Sequence, residues 1–119
     1  MRAAFALVFA WNVLCALQFV IAPAYFAGAY QLSGAAGEAA VRGMGVAFLM
    51  WNATYPAFIV RPHRFKPLGA VALVQQAIGF LGEALILLSL PGQGFELLSA
   101  SILRFMAFDG AGFALMAAA

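Results

Sequence analysis

Charge is what this chain has least of. Asp, Glu, Lys and Arg make up 8% of its 119 residues, against roughly a quarter in a soluble globular domain. Hydrophobic residues make up 66%, so a water-soluble fold of this length has too few polar side chains to cover its own core. Cysteine is nearly absent too. Cys15 is the only one and sits within the first apolar run, which leaves no intramolecular disulfide and no thiolate metal site, and makes it a small buried hydrophobe. His63 is the only histidine and lies in a basic stretch, so there is no axial pair for haem within an apolar segment and no His-rich metal site. A Gly-x-Ser-x-Gly elbow, a Gly-rich phosphate loop, a CxxC pair and a His-Glu-x-x-His motif are all missing, and with them any sign of enzymatic chemistry or of a cofactor. The formal charge of +2 comes from six basic residues that form no patch interleaved with aromatics, so nucleic acid is not an expected partner.

Long apolar runs are what remains. A helix needs about 20 apolar residues to cross a hydrocarbon core of about 30 Å, and four windows approach this: Ala3 to Ala24, Gly43 to Val60, Pro67 to Leu90 and Leu97 to Ala118. The first follows Met1-Arg2 and is longer than the roughly 7 to 15 residues of a signal-peptide core, so it is read as a retained span. No window alternates polar and apolar residues as a barrel strand does, so the spans are expected to be helices. Turn residues separate them: Gly28 through Gly37, then Arg61-Pro62-His63-Arg64-Phe65-Lys66-Pro67, then Pro91-Gly92-Gln93-Gly94. Links this short favour neighbouring helices of opposite direction. The expected fold is thus an all-α integral membrane four-helix bundle, a single domain running up-down-up-down. Arg2, Arg61, Arg64 and Lys66 mark the cytoplasmic side by the positive-inside rule, which puts both termini in the cytoplasm of a multi-pass protein of the cell membrane, the inner membrane of a bacterium.

A few polar residues interrupt the spans, and depth relates them to one another. Phe9-Ala10-Trp11-Asn12 in the first window is echoed by Leu49-Met50-Trp51-Asn52 in the second, and Asn12 and Asn52 are symmetric about Leu32. They are therefore expected at one level near the bilayer midplane. About Gln93, Glu83 and Arg104 fall at nearly equal distances, which predicts an intramembrane ion pair, and Asp109 falls level with Gln75 and Gln76. Gln76, Gly79 and Glu83 share one helix face, as do Arg42, Gly45, Leu49, Asn52 and Pro56. An ionisable group at this depth costs at least about 2.5 to 3.5 kcal/mol when unpaired. Asn12, Asn52, Tyr55, Gln76, Glu83, Arg104 and Asp109 are accordingly the candidate polar cluster, with Trp11 and Trp51 as candidate pocket aromatics.

Two readings of that cluster stay open, beside interhelical hydrogen bonding alone at about 0.6 kcal/mol per bond. In the first, the protein is not an enzyme and binds a hydrophobic or amphipathic small molecule, or serves as an accessory membrane subunit. In the second, Glu83 or Asp109 cycles between charged and neutral forms in a proton- or cation-coupled small transporter. Expected partners are the lipid bilayer, a hydrophobic small molecule, and another membrane protein or further copies of the chain. Four short-looped helices, with Arg42-Gly43-Met44-Gly45 opening the second and a Pro-basic turn closing it, resemble the DoxX-like family. The resemblance implies a small four-helix bacterial membrane protein.

Overall fold

Away from water a backbone has to satisfy its own N–H and C=O groups, and an unbroken apolar run does so as a helix. The computed structural model describes residues 1–119, which form helices and no strand. α1 covers Arg2–Ile21, α2 Pro23–Ala27, α3 Gly34–Asn52, α4 Tyr55–Val60, α5 Lys66–Ser89 and α6 Glu96–Ala118, with a 3-10 turn over Gly28–Tyr30. Four stretches are long and apolar enough to cross a membrane: α1, α3 and α4 taken together as Gly34–Val60, α5, and α6.

The last two spans lie within one residue of the windows Pro67 to Leu90 and Leu97 to Ala118. The first two differ from expectation, each for a local reason. α1 stops at Ile21 rather than Ala24 because Pro23 has no N–H and pushes the residue before it out of the helical region; Ala22 stands at φ −129°. The second span starts at Gly34, well before Gly43. Ala35, Ala36, Glu38, Ala39 and Ala40 are strong helix formers that outweigh the loop signal of Gly37. Gly34 itself takes φ +68°, a left-handed conformation that a side chain would strain.

A second proline interrupts this span. Pro56 cannot donate to the carbonyl of Asn52 and its ring crowds that oxygen, so the regular hydrogen bonding lapses over Ala53 and Thr54 before α4 resumes. Ala53 and Thr54 keep helical backbone angles, so the helical path runs on through the fault, which lies six residues before the span ends at Val60.

α1 packs along α3 and α4, and α5 packs along α6. The two pairs touch each other less: α4 reaches α5, the 3-10 turn reaches α6, and α1 lies against part of α6. Two apolar cores result. Phe5, Val8, Tyr55, Phe58, Ala72 and Met116 form one, and Phe19, Ala27 and Val41 form the other. The polar residues are interleaved between the two. Asn12 falls between Val8 and Phe19 on α1, and Asn52 between Val41 and Tyr55 along the second span. On α6, Asp109 precedes Met116 and follows Phe105, which packs against the second core.

Candidate functional site

The polar layer is built from four spans, and glycines decide how closely it packs. On α5 and α6 the fit is reciprocal: Gln76 lies over Gly112 and Asp109 over Gly79. A Cβ added at Gly112 would stand 2.8 Å from Gln76 Nε2, and one at Gly79 would stand 2.7 Å from Asp109 Oδ2 and 3.0 Å from a ring carbon of Trp51. Neither position has room for a side chain.

Three expected partnerships can be compared with the geometry. Asn12 Nδ2 donates to Asn52 Oδ1 at 3.0 Å, so the residues symmetric about Leu32 do meet. Asn52 Nδ2 then donates to the Phe48 carbonyl at 2.8 Å, one turn back. Gln76 Nε2 donates to Asp109 Oδ1 at 3.1 Å, and the Tyr55 hydroxyl donates to Gln76 Oε1 at 3.4 Å. The amide and carboxyl that depth put level therefore meet as well. Asn52, Gln76 and Tyr55 are buried, with at most 3% of their surface exposed, where a polar group has to find its partner within the protein.

The third expectation, an ion pair between Glu83 and Arg104, is not met. Arg104 Nη2 instead donates to Ser101 Oγ at 3.1 Å, and Ser101 Oγ donates to the Ala29 carbonyl at 2.6 Å. No carboxylate oxygen lies within 4.0 Å of a basic nitrogen in the molecule. Equal depth placed Glu83 and Arg104 at one level, but pairing also requires them to face each other. Arg104 and Asp109 are five residues apart, about 140° around the helix. With Asp109 turned toward Gln76 of α5, Arg104 is carried round toward α1 and the 3-10 turn.

Glu83 and Asp109 share the wall of a cavity of about 70 Å³ with Asn12, Asn52, Gln76 and Gly79. A single water needs roughly 10 to 15 Å³ by this kind of measure, so a cluster of waters or one end of a small molecule fits. Aromatic rings close the remainder: Trp11, Phe48, Trp51, Phe105 and Phe108. Trp11 meets Phe108 edge-on with centroids 4.9 Å apart and is half exposed on the side of α1. Of the expected site residues, Tyr55 reaches the cavity only through Gln76, and Arg104 lines a neighbouring one.

Cys15, Phe48, Phe105 and Phe108 were not anticipated as site residues. Phe105 and Phe108 stand one turn and one residue before Asp109, and Phe48 one turn before Asn52. Helical spacing from the polar residues would have found them. Cys15 borders both cavities, and its place three residues after Asn12 on α1 marks it by the same spacing. No group of three or more His, Cys, Asp or Glu side chains is placed to hold a metal ion. What the arrangement can do is accept hydrogen bonds and positive charge: two carboxylates line the cavity and no basic side chain does. No protein-family model, no curated protein and no solved structure matches the chain.

Proposed function

We propose that this chain is a multi-pass integral membrane protein of a bacterial inner membrane that binds an amphipathic small molecule between its two helix pairs, without catalysing a reaction. The helices run antiparallel, up-down-up-down, with both termini and the Arg61 to Lys66 loop in the cytoplasm. The DoxX-like resemblance agrees with such a membrane protein and adds nothing on the ligand. One observation carries the binding reading: Glu83 and Asp109 share an aromatic-walled cavity with no basic side chain. In a low-dielectric span that combination stabilises a cationic head, the carboxylates by charge and the rings by their negative faces. The ligand class is therefore a hydrophobic cation.

Tetraphenylphosphonium is a suitable probe, since it is a delocalised cation that enters bilayers. Equilibrium dialysis against the protein in phosphatidylcholine nanodiscs is expected to give saturable binding near one per chain, above that of empty nanodiscs. Uptake that rises linearly with concentration and equals that of empty discs would remove the reading. The orientation is checked by reporter fusions after Ala119 and within the Arg61 to Lys66 loop. Both are expected on the cytoplasmic side, and a periplasmic signal from either would reverse the topology.

A second reading is favoured by the fault at Ala53 and Thr54, because interrupted helices within a membrane often border a transport site. In it Glu83 or Asp109 exchanges a proton or cation for the bound molecule, as a small coupled transporter does. Proteoliposomes separate the two readings. Tetraphenylphosphonium movement driven by an imposed pH gradient supports transport, whereas saturable binding without gradient-driven movement supports binding alone.

A further inference from the structure

Arg104 does not line the carboxylate cavity. It is a permanent cation about 12 Å along α6 from Glu96, and its only protein partner is Ser101 Oγ at 3.1 Å. Ser101 is already committed as a donor to the Ala29 carbonyl, so it serves to hold the guanidinium in place. A guanidinium carries five N–H donors in a rigid fork, and most of these remain free.

Arg104, exposed on α6, lines a second cavity, larger than the first at about 250 Å³. Besides Arg104 its hydrogen-bonding side chains are Gln18, Ser101 and the hydroxyl of Tyr30, and neither Asp nor Glu lines it. Its apolar wall includes Leu14 and Phe19 from α1, Phe26 from α2, and Phe105 and Phe108 from α6. It opens sideways: Trp11, Leu14 and Phe108 on its rim are each about half exposed or more, at 51%, 60% and 46%. A charge here is costly unless an anion meets it, and the apolar rim lies against lipid when the spans cross a membrane. The helix start at Glu96 and the Gln31 side chain, which donates to the Gly94 carbonyl, mark the membrane surface nearest to Arg104. A long basic side chain at this depth reaches toward the headgroup layer.

We infer that the cavity between α1 and α6 is a binding site for an anionic membrane lipid, with its phosphate on the Arg104 guanidinium and an acyl chain along Leu14, Phe19, Phe105 and Phe108. Planar guanidinium matches phosphate by paired hydrogen bonds. The inference rests on the membrane-spanning reading but not on occupancy of the carboxylate cavity, which Arg104 does not line.

The test uses the full chain with Trp51→Phe, so that Trp11 alone reports, in nanodiscs of phosphatidylcholine. Phosphatidylglycerol with brominated acyl chains is titrated in, and its quenching of Trp11 is compared with that by equally brominated phosphatidylcholine. Phosphatidylglycerol is expected to bind about fivefold more strongly, the effect of one basic side chain on an anionic headgroup. Arg104→Leu is expected to bring the ratio to one, and Arg104→Lys to retain part of the preference because charge remains without the planar fork. A ratio of one in the chain with Arg104 intact would overturn the inference, as would a fivefold ratio that survives Arg104→Leu. Displacement of the brominated lipid by inorganic phosphate would assign the site to a free oxyanion and overturn the lipid assignment. Self-association is excluded by reading the effect in discs that hold one chain each; a preference seen only in discs holding two overturns the site within a single chain. Tetraphenylphosphonium binding, measured with Trp51 retained, reports whether Arg104→Leu is folded, and its loss from both the Arg104 and the Arg104→Leu forms would fault the carboxylate cavity alone.

Discussion

Asp109→Asn is expected to weaken tetraphenylphosphonium binding at least tenfold while leaving the helix content unchanged. A carboxylate about 5 Å from a unit positive charge contributes about 3 kcal/mol at an effective dielectric constant of about 20, which corresponds to roughly a hundredfold in Kd. Glu83 stays on the cavity wall and retains part of the attraction, hence the smaller expected loss. Combining Glu83→Gln with Asp109→Asn removes both charges and is expected to reduce binding to that of empty nanodiscs. The amide of the Asn side chain offers a nearly isosteric oxygen to Gln76 Nε2, so the 3.1 Å hydrogen bond is retained in Asp109→Asn and the loss reports charge. Equilibrium dialysis decides the matter: unaltered binding in the double variant would show that the carboxylates do not hold the cation.

The second large effect is structural and concerns the seam between α1 and α3. Gly45→Ala is expected to destabilise the protein by about 1 to 3 kcal/mol, the usual cost of overpacking. A Cβ at Gly45 would lie 2.7 Å from the Ala16 carbonyl oxygen, 2.8 Å from a Val20 methyl and 3.0 Å from Phe19 Cβ. The first of these is backbone and cannot rotate aside, so the two helices have to separate, and Asn12 is drawn away from Asn52 with them. Gly43→Ala is the control. It lies on the same helix with nothing within 4 Å, and alanine is the better helix former by about 1 kcal/mol. Thermal unfolding in detergent, followed by circular dichroism, is expected to show a lower midpoint for Gly45→Ala and an equal or higher one for Gly43→Ala. Equal midpoints for both variants would mean that α1 and α3 do not approach so closely.

Much of the polar layer was legible because depth along a helix is linear in residue number. Counting from Leu32 brought Asn12 level with Asn52, and counting from Gln93 brought Asp109 level with Gln76; both contacts are present. Azimuth was the weaker inference. Glu83 and Arg104 satisfy the depth rule and still do not pair, because the side of α6 that carries Asp109 toward α5 turns Arg104 toward α1. The start of α3 was misplaced because the glycines between Gly28 and Gly37 read as a loop, although Gly37 packs within the helix against Leu32. The fault at Ala53 and Thr54 follows from Pro56 and its missing N–H, which the one-face spacing of Arg42, Gly45, Leu49, Asn52 and Pro56 does not convey. The cavities themselves had no counterpart in the sequence. They exist where the two helix pairs touch least, and a single chain's apolar pattern does not say which of its faces will meet.

A hydrophobic cation is expected to sit between the helix pairs, its charge toward Glu83 and Asp109 and its apolar part against the rings. Photolabelling tests this most directly. A triphenylphosphonium carrying a diazirine is irradiated with the protein in nanodiscs, and the labelled residues are located by mass spectrometry. Label is expected on Trp11, Phe48, Trp51, Phe105 and Phe108, the cavity's aromatic wall, and it should disappear when excess tetraphenylphosphonium is added. Label spread over Val74, Leu85 and Leu88, which are exposed on the outer side of α5, and undiminished by competitor would contradict the claim.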